Sequence, residues 1–302
     1  MKLELGINTC FAVKRWPLPR EWASIVRDRL HLDLVELSFD TIDASAGSLD
    51  AEAAAVKVAA AEFGLTLRST FTGLAAYSSN MLLSPDAAAR AGAADWFRRA
   101  IDFSGSVGAV ATGGHVGAFS VTEWNEPKLR ADRWAGLQGA LRDLTAHAHD
   151  RGLRALLVEN LAAAREPSTM AMIRELLTDG DESHAAVSLA LDVGHMCVAG
   201  TSGDDRDPYA WLRQLGRSAF EVQLQQSDTE GDHHWPFTPE ANRRGRVGAD
   251  WVIDALGDSG VEELALVLEI IPPFEQEDES VIDDLVASVD YWREALVRRG
   301  VA

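Results

Sequence analysis

LRALLVEN (residues 153–160) runs apolar without alternation from Ala155 to Val158 and then ends in Glu159 and Asn160. The same pattern returns at AVSLALD (186–192), which ends in Asp192, and at LALVLEI (264–270), which carries Glu269. Strands that are apolar nearly throughout belong in a parallel sheet covered by helices, because a sheet with one wet face would alternate. Working outward, LELGIN (3–8), LDLVELS (32–38), LTLRST (65–70), VGAVATG (107–113) and FEVQLQQ (220–226) are segments of the same kind. Alanine-, leucine- and charge-rich stretches of helical character follow them. Ser84-Pro85-Asp86 reads as an N-cap, a first-turn proline and a first-turn acid, ahead of an apolar stripe at Ala93, Phe97 and Ile101. Glu166-Pro167-Ser168 opens another helix, and Val281 to Val297 forms the last. Eight alternations of β and α predict an α/β fold, a single (β/α)8 TIM barrel over residues 1–302.

Composition narrows the partners. The 302 residues carry 47 acids against 28 bases, a formal net charge of −19 that repels a polyphosphate backbone and argues against nucleic acid. No apolar run approaches the ~20 residues of a membrane-spanning helix. The opening MKLELGINTCFAVKRW lacks the pattern of a signal peptide. Cys10 and Cys197 stand far apart, so no disulfide framework is expected and a reducing cytoplasm is the expected compartment. The expected partner is a small molecule, with a homo-oligomer left open.

A parallel barrel gathers the C-terminal ends of its strands at one mouth, where the following loops build the site. Glu159, Asp192, Gln223 and Glu269 stand at or near the ends of four successive strands. Each alone reads equally well as a group lying in water beyond the sheet. Carboxylates that converge without a cation repel and raise one another's pKa, and a divalent ion such as Mn²⁺, Mg²⁺ or Co²⁺ relieves this. His115, in TGGHVGA at the end of the fourth strand, sits among glycines that let backbone approach a ligand closely, and a satisfied loop histidine is its other reading. Arg243, Arg244 and Arg246 follow the seventh strand, in a region where barrels often bind phosphate, and Lys14 follows the first. Solvated surface charge is the other reading of these four. Trp16, Phe39, Phe71, Tyr77, Trp235 and Phe237 are candidates to wall the mouth.

VEN (158–160), LDVGH (191–195) and LEI (268–270), in that order and spacing, resemble the xylose-isomerase-like TIM-barrel superfamily of sugar and sugar-phosphate isomerases and epimerases, hydroxypyruvate isomerase and endonuclease IV. The resemblance covers nearly the whole chain. It implies one divalent metal ion, Mn²⁺ first with Mg²⁺, Co²⁺ or Zn²⁺ as others, on Glu159, Asp192, Gln223 and Glu269. Gln225 points the same way as Gln223 and is its rival. The resemblance further implies that Glu159 and Glu269 exchange the proton and that His195 contacts a substrate oxygen. A cap on the following segment is the other reading of His195. Asp232-x-His234 resembles the pair that endonuclease IV-like members use for a further metal. The third strand, however, ends Ser69-Thr70-Phe71 without the histidine of a three-metal centre, which leaves Asp232 and His234 to orient substrate or a loop.

TFTGLAAYSSNMLLSPD (70–86), GGHVGAFS (113–120) and NLAAAREPST (160–169) resemble a subgroup acting on four-carbon ketose phosphates, the erythrulose-phosphate isomerases or epimerases. The expected activity is therefore a metal-dependent isomerase or 3-epimerase of a short keto-sugar or sugar phosphate, working through an enediolate. A sugar lyase or dehydratase on the same site is the first alternative. An endonuclease IV-like phosphodiesterase and a non-catalytic sugar-binding barrel follow it.

Overall fold

The computed structural model describes residues 1–44, 49–228 and 230–302. The eight expected strands are β1 (Lys2–Asn8), β2 (Leu34–Ser38), β3 (Thr66–Phe71), β4 (Ala111–Gly114), β5 (Ala155–Glu159), β6 (Ala186–Asp192), β7 (Ala219–Leu224) and β8 (Glu263–Leu268). They pair in parallel in chain order, and β8 returns to β1 to close a barrel. Between and after them run α1 (Pro19–Ser24), α2 (Leu49–Phe63), α3 (Ala87–Val107), α4 (Val121–Asn125), α5 (Pro127–Asp150), α6 (Met170–Leu176), α7 (Pro208–Leu215), α8 (Pro239–Arg244), α9 (Ala249–Ser259) and α10 (Asp278–Arg299). This is the (β/α)8 TIM barrel that the alternation predicts.

The main apolar core joins strand residues such as Val35, Leu191 and Leu266 to the helix residues Trp22, Val56, Trp211 and Trp292. The three tryptophans are almost fully buried, and emptying any one of these sites costs about 3–5 kcal/mol.

Three boundaries differ from the sequence reading. Val107 ends α3 rather than opening β4, and Gly108, at φ +84, closes the helix in the left-handed conformation. The cap of α3 is Asp86, whose side chain accepts from the Ala89 N–H at 2.8 Å, and Ser84 lies two residues before it. Glu166-Pro167-Ser168 precedes the helix it was read to open, because α6 starts at Met170 with Thr169 as its cap.

The barrel interior carries a polar layer beside small apolar clusters of strand residues such as Leu157, Ala190 and Val267. Glu221, Gln223 and Gln225 follow one another along β7 and beyond it at spacing two, so they share the inward face. Ser69 Oγ donates to Glu221 at 2.8 Å. Asn8 Nδ2 and Gln223 Nε2 both donate to Glu36 Oε2, at 2.6 and 3.1 Å. Glu36 and Glu221 are fully buried, and each keeps one carboxyl oxygen without a hydrogen-bond partner. Burial, reinforced by the Glu221 charge, pushes the Glu36 carboxyl well above the usual carboxylate range, so this pair shares a proton beneath the mouth.

Candidate active site

Glu159 closes β5, Asp192 closes β6, and Glu269 follows β8, where its backbone N–H still donates to the Leu224 carbonyl at 2.9 Å. The barrel thus brings three carboxylates to one place. Glu159, Asp192 and Glu269 offer oxygens within 4.8 Å of one another, and all three are buried. Glu159 Oε2 and Glu269 Oε2 have no hydrogen-bond partner. Burial holds the Glu159 carboxyl well above its usual range, with Asp192 and Asp232 adding to it and His195 opposing. Burial followed by the Glu159 and Asp192 charges does the same to Glu269. Orphaned oxygens on converging buried acids are a donor set that fits a hard divalent cation.

The seventh strand supplies a glutamine to this cluster, and it is Gln225. Its Nε2 lies 3.1 and 3.2 Å from the two Asp192 carboxylate oxygens and 3.1 Å from Asp232 Oδ1, while its Oε1 accepts the His234 N–H at 2.6 Å. Gln223 instead spends its amide on Glu36, one layer deeper. The approach of Gln225 depends on Gly194, where a Cβ would lie 2.2 Å from the Gln225 amide carbon.

His195 is 2% exposed. Its Nδ1 donates to the Asn160 carbonyl at 2.7 Å and lies 3.3 Å from Glu159 Oε1, and its Nε2 lies 3.2 Å from Asp232 Oδ1. Burial pulls the imidazole down, but Asp192, Asp232 and Glu159 together outweigh it and hold His195 well above its ordinary value. His234, at φ +48, places Nε2 3.0 Å from the same Asp232 oxygen and Nδ1 3.2 Å from the Glu269 carbonyl. Burial acts against the Asp232 charge, yet His195 and His234 leave its carboxyl far below the usual range. Asp192, His195 and His234 form a second group whose ligand atoms lie within 4.8 Å of one another.

His115 directly follows β4 and is fully buried, its Nε2 3.3 Å from the Ser79 carbonyl, and burial lowers its pKa to about 4. The basic residues are placed differently. Lys14 is exposed with Nζ 3.9 Å over the Phe274 ring. Arg243 and Arg244 are exposed at the end of α8. Arg244 lies 4.3 Å over the Trp235 ring, which stacks on His233 at 3.9 Å. Arg246 lines a cavity of about 370 Å³ against Trp251 and Tyr291, whose walls include none of the three clustered carboxylates.

Two groups escaped the sequence reading. Glu166, 5% exposed, has its pKa raised to about 7 by burial and feels both His195 and Asp232. Asn160 was noted only as a neighbour of Glu159, yet it holds Asp192 in place from β5. The one available signal for Glu166 was an acid between Arg165 and a proline in an otherwise apolar loop.

No helix among the described residues is long and apolar enough to cross a membrane, and Cys10 and Cys197 are both free thiols.

D-Erythrulose 1-phosphate 3-epimerase of Brucella abortus (strain 2308) is 26% identical over 306 residues, 97% of this chain and 96% of its own. The solved structure of a candidate xylose isomerase from Rhodospirillum rubrum ATCC 11170 matches with a TM-score of 0.88 at 32% identity, covering 97% of this chain and 99% of that one. D-Psicose 3-epimerase from Clostridium cellulolyticum H10, solved with D-tagatose, matches at TM-score 0.70 and 16% identity over 97% and 99% of the two chains, a likeness of fold alone. The class expected from the sequence, an isomerase, is the class for which these relatives are named. The model of the xylose isomerase-like TIM barrel matches residues 29–292, and the chain belongs to that family.

Proposed function

We propose that the chain is a divalent-cation-dependent 3-epimerase of a short-chain ketose or its phosphate, which moves a proton between Glu159 and Glu269. The observation that carries this reading is the pair of buried glutamates, each with an oxygen lacking any hydrogen-bond partner, beside Asp192. The name of the Brucella relative supports a four-carbon ketose phosphate as substrate.

Glu159, Asp192, Gln225 and Glu269 would hold the cation, with Gln225 taking the place first given to Gln223. Bound there, a divalent ion polarises a carbonyl and stabilises the negative charge that develops on oxygen. Ligation by Gln225 needs its amide turned over, since its nitrogen now faces Asp192. One glutamate removes the proton from the carbon beside the carbonyl and the other delivers one to the opposite face. Without the cation, burial holds both carboxyls above their usual range. His195, whose Nε2 is tied to Asp232, would donate to a substrate oxygen as negative charge grows there. Arg243 and Arg244 are the candidates for a phosphate on the substrate, and Lys14 stands with them as an exposed cation.

Proton NMR in D₂O over a panel of ketoses and their phosphates, with added Mn²⁺, tests the reading. Deuterium entering the carbon beside the carbonyl, with formation of the 3-epimer, is the expected result. Products of elimination would identify the lyase alternative instead, and no exchange on any ketose would overturn the proposal.

A second reading has one observation behind it. Asp192, His195 and His234, with Asp232 bridging the two histidines, are a second donor set next to the first. Elemental analysis after metal loading separates one ion per chain from two.

A further inference from the structure

The loop after β3 reaches His195 through Tyr77, and its start is fixed by Asp40, just beyond β2. Gly73, at φ +75, turns the chain where a Cβ would lie 2.5 Å from Asp40 Oδ2. Asp40 accepts from the N–H groups of Leu74 at 2.8 Å and Ala75 at 3.0 Å, which fixes the start of the 3₁₀ turn Leu74–Ser78. That turn delivers Tyr77. Its ring stacks on His115 with centroids 4.9 Å apart and planes 17° from parallel. It meets His195 edge-on at 6.3 Å, and its hydroxyl lies 3.4 Å from His195 Nε2. Tyr77 therefore touches His195, the residue proposed to meet a substrate oxygen.

The same wall carries an acceptor with nothing to accept. His115 Nε2 faces the Ser79 carbonyl, so its N–H is on that side, and Nδ1 is buried without a partner. A neutral imidazole in this tautomer offers Nδ1 to a hydroxyl donor. A sugar carbon beyond the reacting centre carries such a hydroxyl.

We propose that Tyr77, held flat against His115, gauges the length of the substrate chain, with His115 Nδ1 accepting the hydroxyl of the last carbon that fits. The inference rests on the ketose reading above and adds to it the residue that limits chain length. The gauge is stiff, because the ring cannot swing out without leaving His115 and the turn beneath it is fixed by Asp40. An additional carbon thus meets a wall rather than a yielding loop.

The test compares a ketotetrose phosphate with a ketohexose phosphate on the wild type, Tyr77→Phe, Tyr77→Ala and Asp40→Asn, reading kcat/KM. Binding of the unreactive four- and six-carbon polyols is measured alongside, in the presence of Mn²⁺. Tyr77→Ala should raise the six-to-four-carbon ratio by about 10-fold or more in both measurements, the scale at which pockets discriminate small groups. Tyr77→Phe keeps the ring and should keep the ratio. Asp40→Asn leaves Tyr77 present on a loosened turn and should move the ratio the same way as Tyr77→Ala, by less. If Tyr77→Ala lowers both chain lengths by one common factor and leaves polyol preference unchanged, the gauge is wrong. If the wild type turns over no ketose while polyol preference still shifts in Tyr77→Ala, the epimerase reading has failed and the gauge stands.

Discussion

Asn160 serves Asp192 as a substitute strand residue: its Nδ2 donates to the Asp192 carbonyl and its Oδ1 accepts the Asp192 N–H, both at 2.9 Å. The β5–β6 pairing is thereby prolonged by a side chain past the point where β5 itself ends, and the Asp192 carboxylate is aimed with it. Asn160→Asp sets an acceptor where the carbonyl needs a donor. Cation affinity should fall by about 10–100-fold, the usual effect of disturbing a group that orients a ligand. Titration with Mn²⁺, followed by calorimetry, measures it.

Removal of the cation makes a separate prediction. Chelation with EDTA should abolish deuterium exchange and lower the Tm, because an ion that binds only the folded state stabilises it by mass action. Mn²⁺ or Co²⁺ should restore both, and full activity in thoroughly metal-free protein would refute the site.

The two glutamines of the seventh strand are distinguishable. Gln225→Ala should lose bound metal by elemental analysis, whereas Gln223→Ala should keep it and lose thermal stability through Glu36. Gly194→Ala should copy Gln225→Ala, since its new methyl occupies the space of the Gln225 side chain. Metal loss confined to Gln223→Ala would restore the deeper residue as ligand.

Glu36 gives a pH prediction with a definite sign. Its carboxyl is raised in the fold by burial and then by Glu221, so above the ordinary carboxylate range the folded state binds a proton that the unfolded chain has released. Stability must then fall as pH rises through that window. Glu36→Gln is neutral at every pH and removes the dependence. As pH rises above the ordinary carboxylate range the wild-type Tm should decline relative to Glu36→Gln, and parallel curves would mean that Glu36 is ionised in the fold.

Glu159→Gln and Glu269→Gln each keep an oxygen but cannot carry the proton. Each should lower kcat by about 10²–10⁴, the scale of general acid–base catalysis. For an epimerase the two variants should differ, one still exchanging deuterium into one epimer and the other into its partner. Loss of exchange from both epimers in both variants argues for a proton moved by some other group.

The strands were legible because an unbroken apolar run closed by a carboxylate has few other meanings, and β5, β6 and β8 all carry that pattern. Their boundaries were less so. Val107 is as apolar in the last turn of α3 as it would be in β4, and only the left-handed Gly108 separates the two. The site acids followed from strand order, since the mouth of a closed barrel collects whatever ends its strands. Depth did not follow. Gln223 and Gln225 share a face by simple alternation, and the layer each occupies depends on Glu36, an acid 187 positions away from Gln223. Glu166 was hidden because an acid before a proline reads locally as the start of a helix.

Burial also sets an order of events. Glu159, Asp192 and Glu269 are 1%, 0% and 4% exposed, while the Asp232 side chain keeps 28% of its surface and is the wet edge of the cluster. An ion bound at the carboxylates would lie deeper than a sugar that meets Asp232. On the proposed reading, loading would then be sequential, cation before ketose, and departure would run in reverse. A saturating sugar should trap the ion, so the exchange rate of bound metal becomes a clock for how often the mouth stands open.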